Sequence, residues 1–567
     1  MAALSCTDRV ARPQVQSAAM TPSMPARIST TLLVAVATVT LAAQQRAPGL
    51  DSITQADLKA DLYFLAGDAM RGRLTDTVEN VATGDYIRAR FERAGLKPAA
   101  AGSYFQNYFL MTSTLGDGNA LEVAGAGGAA RRLAHGPEFY PQRFSATGTV
   151  TGEVVFAGFG ISAPAIAYDD FATDLTGKIV LVLDHEPGER DPKSPFDGVV
   201  TSEPSTPWRK ALAAQSKGAV GVLFVADVHN HPPVNFEQAA RNVWPATPPH
   251  LKTYMLATWA DRLRIPSAQI SPALAETLVA GTGRSLAALA AAAETAKGMA
   301  TVPLPGARLT LTTDVVRHTI PDRNVVGLIE GSDPVLKDQW VLVTAHFDHN
   351  GTDGTQIFNG ADDNGSGTVA LLEIADAYAE AARQGQRPKR SVLFAAWNSE
   401  ERGLLGAWAY TEAPLAPLAT IAGMLNMDMI GRNEEIQVGG GPRFNGFEPQ
   451  TAESNTNTLN VMGFTRAPDV SATMDAANKG IGVSLLRRYD NNASNLVRRS
   501  DQWPFLQRGV PALGFMTGLH PDYHTIYDRP EKINYVKMEK IARLVHQASW
   551  DLANATTRPA AVTPTVR

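Results

Sequence analysis

The residues with the clearest capacity for chemistry are histidines and carboxylates that directly follow three runs of apolar residues. His346 follows the first run, the pair Glu400 and Glu401 follows the second, and Asp428 follows the third. Imidazole nitrogens combined with carboxylate oxygens are typical ligands of Zn²⁺, whereas Ca²⁺ prefers oxygen ligands alone. The residue types therefore predict a zinc site rather than a calcium site.

Two further segments can add ligands to such a site. The loop Gly360–Gly367 (GADDNGSG) holds the adjacent carboxylates Asp362 and Asp363, and His524 follows the apolar run Val510–Met516. The carboxylates then outnumber those that one zinc ion needs. This surplus favours two metal ions that share one carboxylate, because each ion then keeps an open position for water and substrate.

The apolar runs that precede the first group of ligands have the length and composition of buried central strands. They are Trp340–Ala345, Val392–Trp397 and Gly423–Met427, and helical patterns follow at Gly367–Ala382 and Glu401–Tyr410. Strands that alternate with helices predict an α/β sheet. In open sheets of this class, ligands bind beyond the carboxyl ends of the strands. Each acid or histidine alone has an ordinary structural explanation, but their shared position at strand ends predicts one site.

At 567 residues the chain is long enough for more than one folding unit. We expect a leader with a signal peptide at 1–43 and a first part of the main domain at 50–148. A β-rich insert at 149–300 follows, then the main α/β domain at 301–553. The last segment, 554–567, is rich in Pro, Thr and Ala, and this composition predicts disorder.

The leader prediction depends on Arg27, the apolar run Leu32–Ala42 and the small residue Ala43. A helix of that length, at about 1.5 Å per residue, is too short for a hydrocarbon core of about 30 Å. We therefore expect an exported bacterial protein, periplasmic or secreted, without a membrane span. Cys6 is the only cysteine and lies within the leader, so disulfides and thiol catalysis are excluded from the mature chain. A net charge of -5 and the lack of a basic tract argue against nucleic acid as a partner.

Five separated motifs resemble those of the dizinc aminopeptidase and glutamate carboxypeptidase family. The motifs are His346-Phe347-Asp348, Gly360–Gly367, Asn398–Gly406 (NSEERGLLG), Asn426–Asp428 and Tyr523-His524, in the family's order. Phe64–Arg73 (FLAGDAMRGR) resembles the N-terminal helix and turn of bacterial members, and 149–300 resembles a protease-associated insert domain. The resemblance implies the zinc-dependent exopeptidase fold, a mixed and mostly parallel sheet flanked by helices, with peptides as substrates.

The resemblance also implies a ligand set for two Zn²⁺ ions. Asp363, through a cis peptide bond to the next residue, would bridge both ions. His346 and Asp428 would complete one zinc site, and Glu401 and His524 would complete the other. The choice of Asp363 over its neighbour Asp362 comes from the resemblance alone.

Two further roles follow from the same resemblance. Glu400 would not bind metal but would act as the general base, taking a proton from the attacking water and passing it to the leaving amine. Asp348 lies two residues beyond His346 and would hold the imidazole ring in place.

Other activities on the same scaffold remain as alternatives. A glutamate carboxypeptidase needs arginines for the substrate carboxylate, and Arg432, Arg498 and Arg499 are possible suppliers. A glutaminyl cyclase would use a single zinc, and an inactive receptor-like homologue would lack ligands, whereas the full set is present here. The bacterial-type N-terminal motif and the lack of a matching arginine cluster favour an aminopeptidase. The insert is expected either to border the cleft or to be an accessory module.

Overall fold

The computed structural model describes residues 46–124, 130–295 and 297–562. The predicted leader at 1–43 lies outside these ranges. Within them, no helix combines the length and the apolar character needed to cross a bilayer. Two sheets, here called the large sheet and the small sheet, organise the described residues.

The large sheet contains the strands that were predicted to carry the site. In spatial order its strands are Met255–Leu256, Phe105–Leu115, Val315–Ile329, Ser391–Trp397, Trp340–His346, Ile421–Met427, Ala512–Met516, Thr458–Met462 and Ser484–Leu486, and Lys97–Pro98 pairs beside Val315–Ile329. The central strands, from Ser391–Trp397 to Ala512–Met516 in this order, are mutually parallel. Every residue of Ser391–Trp397 and Ile421–Met427 is buried, which explains their continuous apolar sequences.

Helices cover both faces of the large sheet. Phe394 packs against Tyr378 of one helix, and Trp397 packs against Tyr410 of another. Residues three apart in a strand point to opposite faces, so these two helices lie on opposite sides. The α-helices of the described residues are Gln55–Leu65, Val78–Ala94, Pro207–Ser216, Phe236–Val243, Ala257–Arg262, Pro272–Val279, Leu286–Ala293, Gly367–Arg383, Leu405–Glu412, Pro468–Asn478, Gln502–Gln507 and Tyr535–Asn554. The predicted α/β architecture, a mixed sheet flanked by helices, is confirmed.

The small sheet has its own hydrophobic core and a parallel centre. In spatial order its strands are Ala130–Arg132, Ala120–Ala124, Val302–Thr313, Gly148–Phe156, Ile179–Leu183, Gly221–Val225, Ser267–Ile270 and Phe139–Pro141. They extend from Ala120 to Thr313, beyond both predicted limits of the insert, 149 and 300. The assignment of this region as a protease-associated domain stays a prediction.

One predicted helix begins later than expected. The sequence pattern predicts Glu401–Tyr410, whereas the helix spans Leu405–Glu412. The backbone first forms a turn in which the amides of Gly403 and Leu404 donate to the Glu400 carbonyl. Leu404 has a positive φ of 59°, which a helix does not accommodate, so the helix cannot start before it.

The C-terminal segment is only partly described. The helix Tyr535–Asn554 ends where the predicted disordered tail begins. Residues 555–562 nevertheless lie against the body of the protein. The Val562 amide donates to the Gly509 carbonyl at 3.1 Å, and the Ala560 amide donates to Asp469 at 2.9 Å. Residues 563–567 lie outside the described residues.

Candidate metal centre

The strand ends of the large sheet bring the predicted site residues together. His346 is the last residue of its strand and stands beside Trp397, which is followed closely by Glu400 and Glu401. Asp428 follows the neighbouring strand on the other side. Parallel strands that are in register end at one edge of the sheet, so the ligands of three strands converge there.

The converging side chains form two clusters that share Asp363. In the first cluster, His346 Nε2 lies 3.4 Å from Asp363 Oδ1 and 3.4 Å from Asp428 Oδ1. In the second cluster, His524 Nε2 lies 2.9 Å from Asp363 Oδ2 and 3.1 Å from Glu401 Oε2. Asp363 therefore directs one carboxylate oxygen into each cluster, an arrangement that would allow this carboxylate to bridge two ions.

The distances in the first cluster fit a metal ion better than direct hydrogen bonds. Charge-assisted N–H···O bonds are typically about 2.7–2.9 Å long, shorter than the 3.4 Å contacts of His346. Two ligands placed about 2.1 Å from a tetrahedral Zn²⁺ are about 3.4 Å apart. The spacing in the first cluster and the donor set, imidazole with carboxylates, are compatible with a zinc site.

The charges of the site also call for a cation. Burial lowers the pKa of His346, but the charges of Glu400 and Asp428 outweigh it and raise the pKa well above its ordinary value. At His524, burial likewise lowers the pKa of the imidazole, but the charges of Glu401 and Asp363 outweigh it and raise this pKa to about 10. The carboxylates thus retain a proton on each imidazole, and a metal ion can replace those positive charges.

The loop Ala361–Ser366 determines which aspartate faces the clusters. Asp362 turns away, because its Oδ1 accepts the Gly431 amide at 2.6 Å and its Oδ2 lies 3.3 Å from His520. The Asp363–Asn364 peptide bond is cis, as expected from the resemblance. Asn364 holds the loop against the neighbouring strand, since its side chain donates to the Met427 carbonyl at 2.9 Å.

Asp348 has a broader set of contacts than predicted. Its Oδ1 lies 3.6 Å from His346 Nδ1, near the ring that it was expected to hold. The same carboxylate also accepts the backbone amides of Glu400, at 3.0 Å, and Glu401, at 3.3 Å. Asp348 therefore links the end of one strand to the turn that follows the next strand.

Arg73 fixes the other side of the site. Its fully buried guanidinium donates to the carbonyls of Leu65, Phe347, Asn359 and Gly360 at 2.7–2.9 Å. These carbonyls belong to the N-terminal helix, the His346 strand end and the Asp363 loop. Burial lowers the pKa of Arg73 to about 10. The segment Phe64–Arg73 is recognisable in the sequence by its resemblance to bacterial family members, but the resemblance implies no role for Arg73.

The clusters open into a cavity of about 450 Å³ that two arginines help to line. Arg498 Nη2 lies 3.8 Å from Glu203, and Arg499 Nη2 donates to the Tyr523 hydroxyl at 3.0 Å. Arg432 is instead paired with Asp522 at 2.9 Å. The structure therefore places two of the three candidate arginines, Arg498 and Arg499, at the cavity wall.

Glu203 brings the region of the small sheet into the same cavity. It lies on the chain between the strands Ile179–Leu183 and Gly221–Val225, and its side chain is only 11% exposed. The segment is anchored on the main domain, because the Asn495 side chain accepts the Thr201 amide at 2.8 Å. No local sequence signal marked Glu203, since its distance in sequence from the ligands hides its proximity in space.

His349 and Asp501 were also missed. Among the described residues, neither ring nitrogen of His349 has a hydrogen-bond partner of good geometry, although Nδ1 lies 2.7 Å from Glu401 Oε1. His349 joins Asp363, Glu401 and His524 in the second cluster. Its sequence signal was a second histidine in the run that contains His346. Asp501 is buried, and this burial raises the pKa of its carboxyl well above the ordinary value.

Comparisons with known proteins found one family model that matches part of the chain. Residues 324–549 match the model of Peptidase family M28. The probable glutamate carboxypeptidase AMP1 of Arabidopsis thaliana is 25% identical over 408 residues, which cover 68% of this chain and 51% of that protein. A probable zinc metalloprotease of Leptosphaeria maculans is 28% identical over 267 residues, 42% of this chain and 59% of that protein. The chain thus spans little more than half the length of either relative.

A solved structure is similar over a larger share of the chain. The aminopeptidase from Aneurinibacillus sp. strain AM-1 aligns with 91% of this chain and 97% of its own. The TM-score is 0.47 and the sequence identity is 17%.

Proposed function

We propose that the protein is a zinc-dependent exopeptidase that hydrolyses the N-terminal peptide bond of peptides. The premise is that residues 324–549 form a domain of Peptidase family M28. The observation that carries the proposal is the position of Asp363 between two clusters of ligands. One carboxylate oxygen faces His346 and the other faces His524. This arrangement supports two zinc ions that share a bridging carboxylate.

The residues would divide between the ions as follows. His346, Asp363 and Asp428 would hold one ion, and Asp363, Glu401 and His524 would hold the other. His349 is close enough to add a nitrogen ligand to the second ion or to hold Glu401 in place. When bound, Zn²⁺ supplies Lewis acidity that acidifies water and polarises a carbonyl group.

Glu400 is the proposed general base. It lines the cavity beside both clusters, and its Oε2 lies 3.7 Å from His346 Nε2. Burial and the charge of Asp428 raise its pKa well above the ordinary value, whereas the charge of His346 opposes this rise. A carboxylate with a raised pKa can accept a proton from the attacking water and deliver it to the leaving amine. Asp348 accepts the Glu400 amide and so fixes the base relative to the ligands.

Recognition of the substrate's free end decides between two exopeptidase activities. A substrate ammonium group would be held by carboxylates such as Glu203, which lines the cavity. The second candidate is a carboxypeptidase of the glutamate type, and Arg498 and Arg499 at the cavity wall favour it. Arg498 Nη2 faces Glu203 and Arg499 Nη2 donates to the Tyr523 hydroxyl, so part of each guanidinium is already engaged, which weakens the case for a carboxypeptidase. We therefore favour the aminopeptidase.

The experiment compares two substrate classes on one zinc-loaded preparation. Aminoacyl-nitroanilides have a free amine and no carboxylate, whereas N-acyl-glutamates have a free carboxylate and a blocked amine. We expect turnover of the first class and two zinc ions per chain by elemental analysis. Turnover of N-acyl-glutamates alone would replace the aminopeptidase with the carboxypeptidase. A single zinc with cyclisation of N-terminal glutamine, or two zinc ions without any turnover, would contradict both proposals.

We also propose that the protein is exported, periplasmic or secreted, on the basis of the apolar run Leu32–Ala42 in the sequence. Sequencing of the N-terminus of protein from the periplasm and medium tests this. The expected product begins shortly after Ala43, and accumulation of uncleaved protein in the cytoplasm would contradict export.

A further inference from the structure

A second group of histidines and a carboxylate lies at the edge of the small sheet. His185 follows the strand Ile179–Leu183, and His231 lies in the loop after the strand Gly221–Val225. These two strands are parallel neighbours in register, so the segments that follow them emerge at one edge. Glu189, from the first of these segments, contacts a ring nitrogen of each imidazole. The topology is therefore the same as at the large sheet.

The three side chains converge closely. His231 Nε2 lies 2.6 Å from Glu189 Oε1, and His185 Nδ1 lies 3.3 Å from Glu189 Oε2. The two imidazole rings are stacked, with centroids 3.9 Å apart and an interplanar angle of 19°. One divalent ion placed among the three groups can be bound by His185 Nδ1, His231 Nε2 and a Glu189 oxygen together, because these ligand atoms lie within 4.8 Å of one another.

The surroundings keep the two segments together. Glu294 accepts the Gly188 amide at 2.9 Å and also accepts the side-chain amide of Asn230. It therefore joins the segment that carries Glu189 to the loop that carries His231. The buried Lys210 ammonium donates to the carbonyls of Leu183 and His185, which fixes the start of the first segment. The donors are positioned before any ion arrives, which favours binding.

We propose that His185, Glu189 and His231 form a binding site for a divalent transition-metal ion, with Zn²⁺ as the reference ion, separate from the centre at the large sheet. Two imidazoles and one carboxylate select transition metals over Ca²⁺ and Mg²⁺, which prefer oxygen ligands. The His185 side chain is 44% exposed and that of His231 is 30% exposed. Solvent can therefore reach the ion and complete its coordination.

The site would have a structural role. The segment that carries Glu189 continues to Glu203, and Glu186, near the start of this segment, accepts the amide of Ser202, near its end, at 3.0 Å. An ion at the three ligands would join this segment to the loop that carries His231. The ion would thereby restrict the segment that brings Glu203 to the main cavity.

The test measures zinc in the full-length protein with the main centre already loaded. Wild type, the His185→Ala/His231→Ala double variant and the control His229→Ala are each dialysed to equilibrium against buffered Zn²⁺. Bound zinc per chain is then measured as the difference between the two sides of the membrane. His229 lies in the same loop, is exposed, and is not part of the cluster. We expect the double variant to bind one ion fewer than wild type and the control variant to match wild type. Equal zinc in all three proteins would overturn the proposal.

A conservative variant separates loss of a ligand from loss of the fold. Glu189→Gln keeps the side-chain shape, and we expect it to weaken binding of the additional Zn²⁺ at least tenfold by calorimetric titration. Its circular dichroism and elution volume should equal those of wild type, as should those of the double variant. Unchanged affinity in Glu189→Gln would contradict the assignment of the carboxylate as a ligand.

Discussion

The large sheet and the small sheet both place histidines and carboxylates beyond the ends of parallel strands, but the two groups differ in burial. At the large sheet, His346 is 0% exposed, and Asp363, Glu400 and Asp428 are also buried. At the small sheet, the side chain of His185 is 44% exposed and that of Glu189 is 18% exposed. In both sheets the strand topology brings the histidines and carboxylates together, and the two groups differ in how deeply they are buried.

Burial changes what each group requires. A buried carboxylate without a compensating charge costs several kcal/mol, so a group with more acids than histidines needs a cation in order to be stable. At the large sheet, Asp348 and Arg73 add hydrogen bonds that hold the ligand segments in one geometry. The exposed group can be screened by water when no ion is bound. We therefore expect tight, slowly exchanging metal at the large sheet and weaker, exchangeable metal at the small sheet.

The largest expected effect comes from removal of all metal with a strong chelator. Loss of Lewis acidity worth several kcal/mol should lower turnover by about 10³-fold or more. The thermal unfolding temperature should fall as well, because the buried carboxylates of the large sheet lose their cations. Added Zn²⁺ should restore both. If protein without metal by elemental analysis kept full turnover, the buried group at the large sheet would not need a cation. The proposed difference between the two sheets would then be contradicted.

The next effect separates the two adjacent aspartates at the large sheet. Asp363→Asn removes the negative charge between the clusters, and we expect loss of zinc and a fall in turnover of about 10² to 10³-fold. The matched variant is Asp362→Asn, whose side chain faces Gly431 and His520 instead. It should retain both zinc ions. The opposite pattern of zinc content would mean that Asp362 is the bridging residue.

A smaller effect is expected at His349. His349→Ala should weaken binding of one zinc ion about 10- to 100-fold, whether the ring binds the ion or holds Glu401. Turnover should return at saturating zinc, because Glu400 and the other ligands remain. Zinc titration monitored by activity measures this shift. An unchanged zinc affinity would show that the ring only fills space beside Glu401.

The smallest effect on kinetics is expected at Glu203, the residue of the small-sheet region that lines the main cavity. If it holds the substrate amine, Glu203→Gln should raise KM up to about tenfold with little change in kcat. Steady-state kinetics on one aminoacyl-nitroanilide distinguishes the two parameters. An unchanged KM would show that Glu203 does not hold the amine. Recognition of the amine would then belong to residues of the large sheet.

The parts that could be predicted from the sequence depend on local patterns. The strand Trp340–His346 and its neighbours are continuous apolar runs because both faces of the sheet are covered, and the ligands follow those runs directly. The structure brings together all five predicted ligands and the proposed base at this edge. The contacts of the two adjacent aspartates are compatible with the proposed bridging role of Asp363, which the sequence pattern alone could not separate from Asp362.

The parts that could not be predicted depend on tertiary contacts. Glu203 reaches the cavity only because the Thr201 amide is tied to Asn495, a contact between distant parts of the chain. Arg498 and Arg499 were visible as charged residues, but the direction of a long side chain in an irregular segment has no sequence signature. The helix start at Leu405 was misplaced because apolar periodicity does not show the turn that precedes it.

The most direct test of the central claim is the zinc content and turnover of Glu400→Gln. Glutamine keeps the shape of the side chain but cannot accept the proton, and Glu400 belongs to neither ligand cluster. We expect the wild-type amount of zinc and a fall in kcat of about 10² to 10⁴-fold, with little change in KM. Near-wild-type kcat would contradict the assignment of the base, and loss of zinc would show that Glu400 is a ligand.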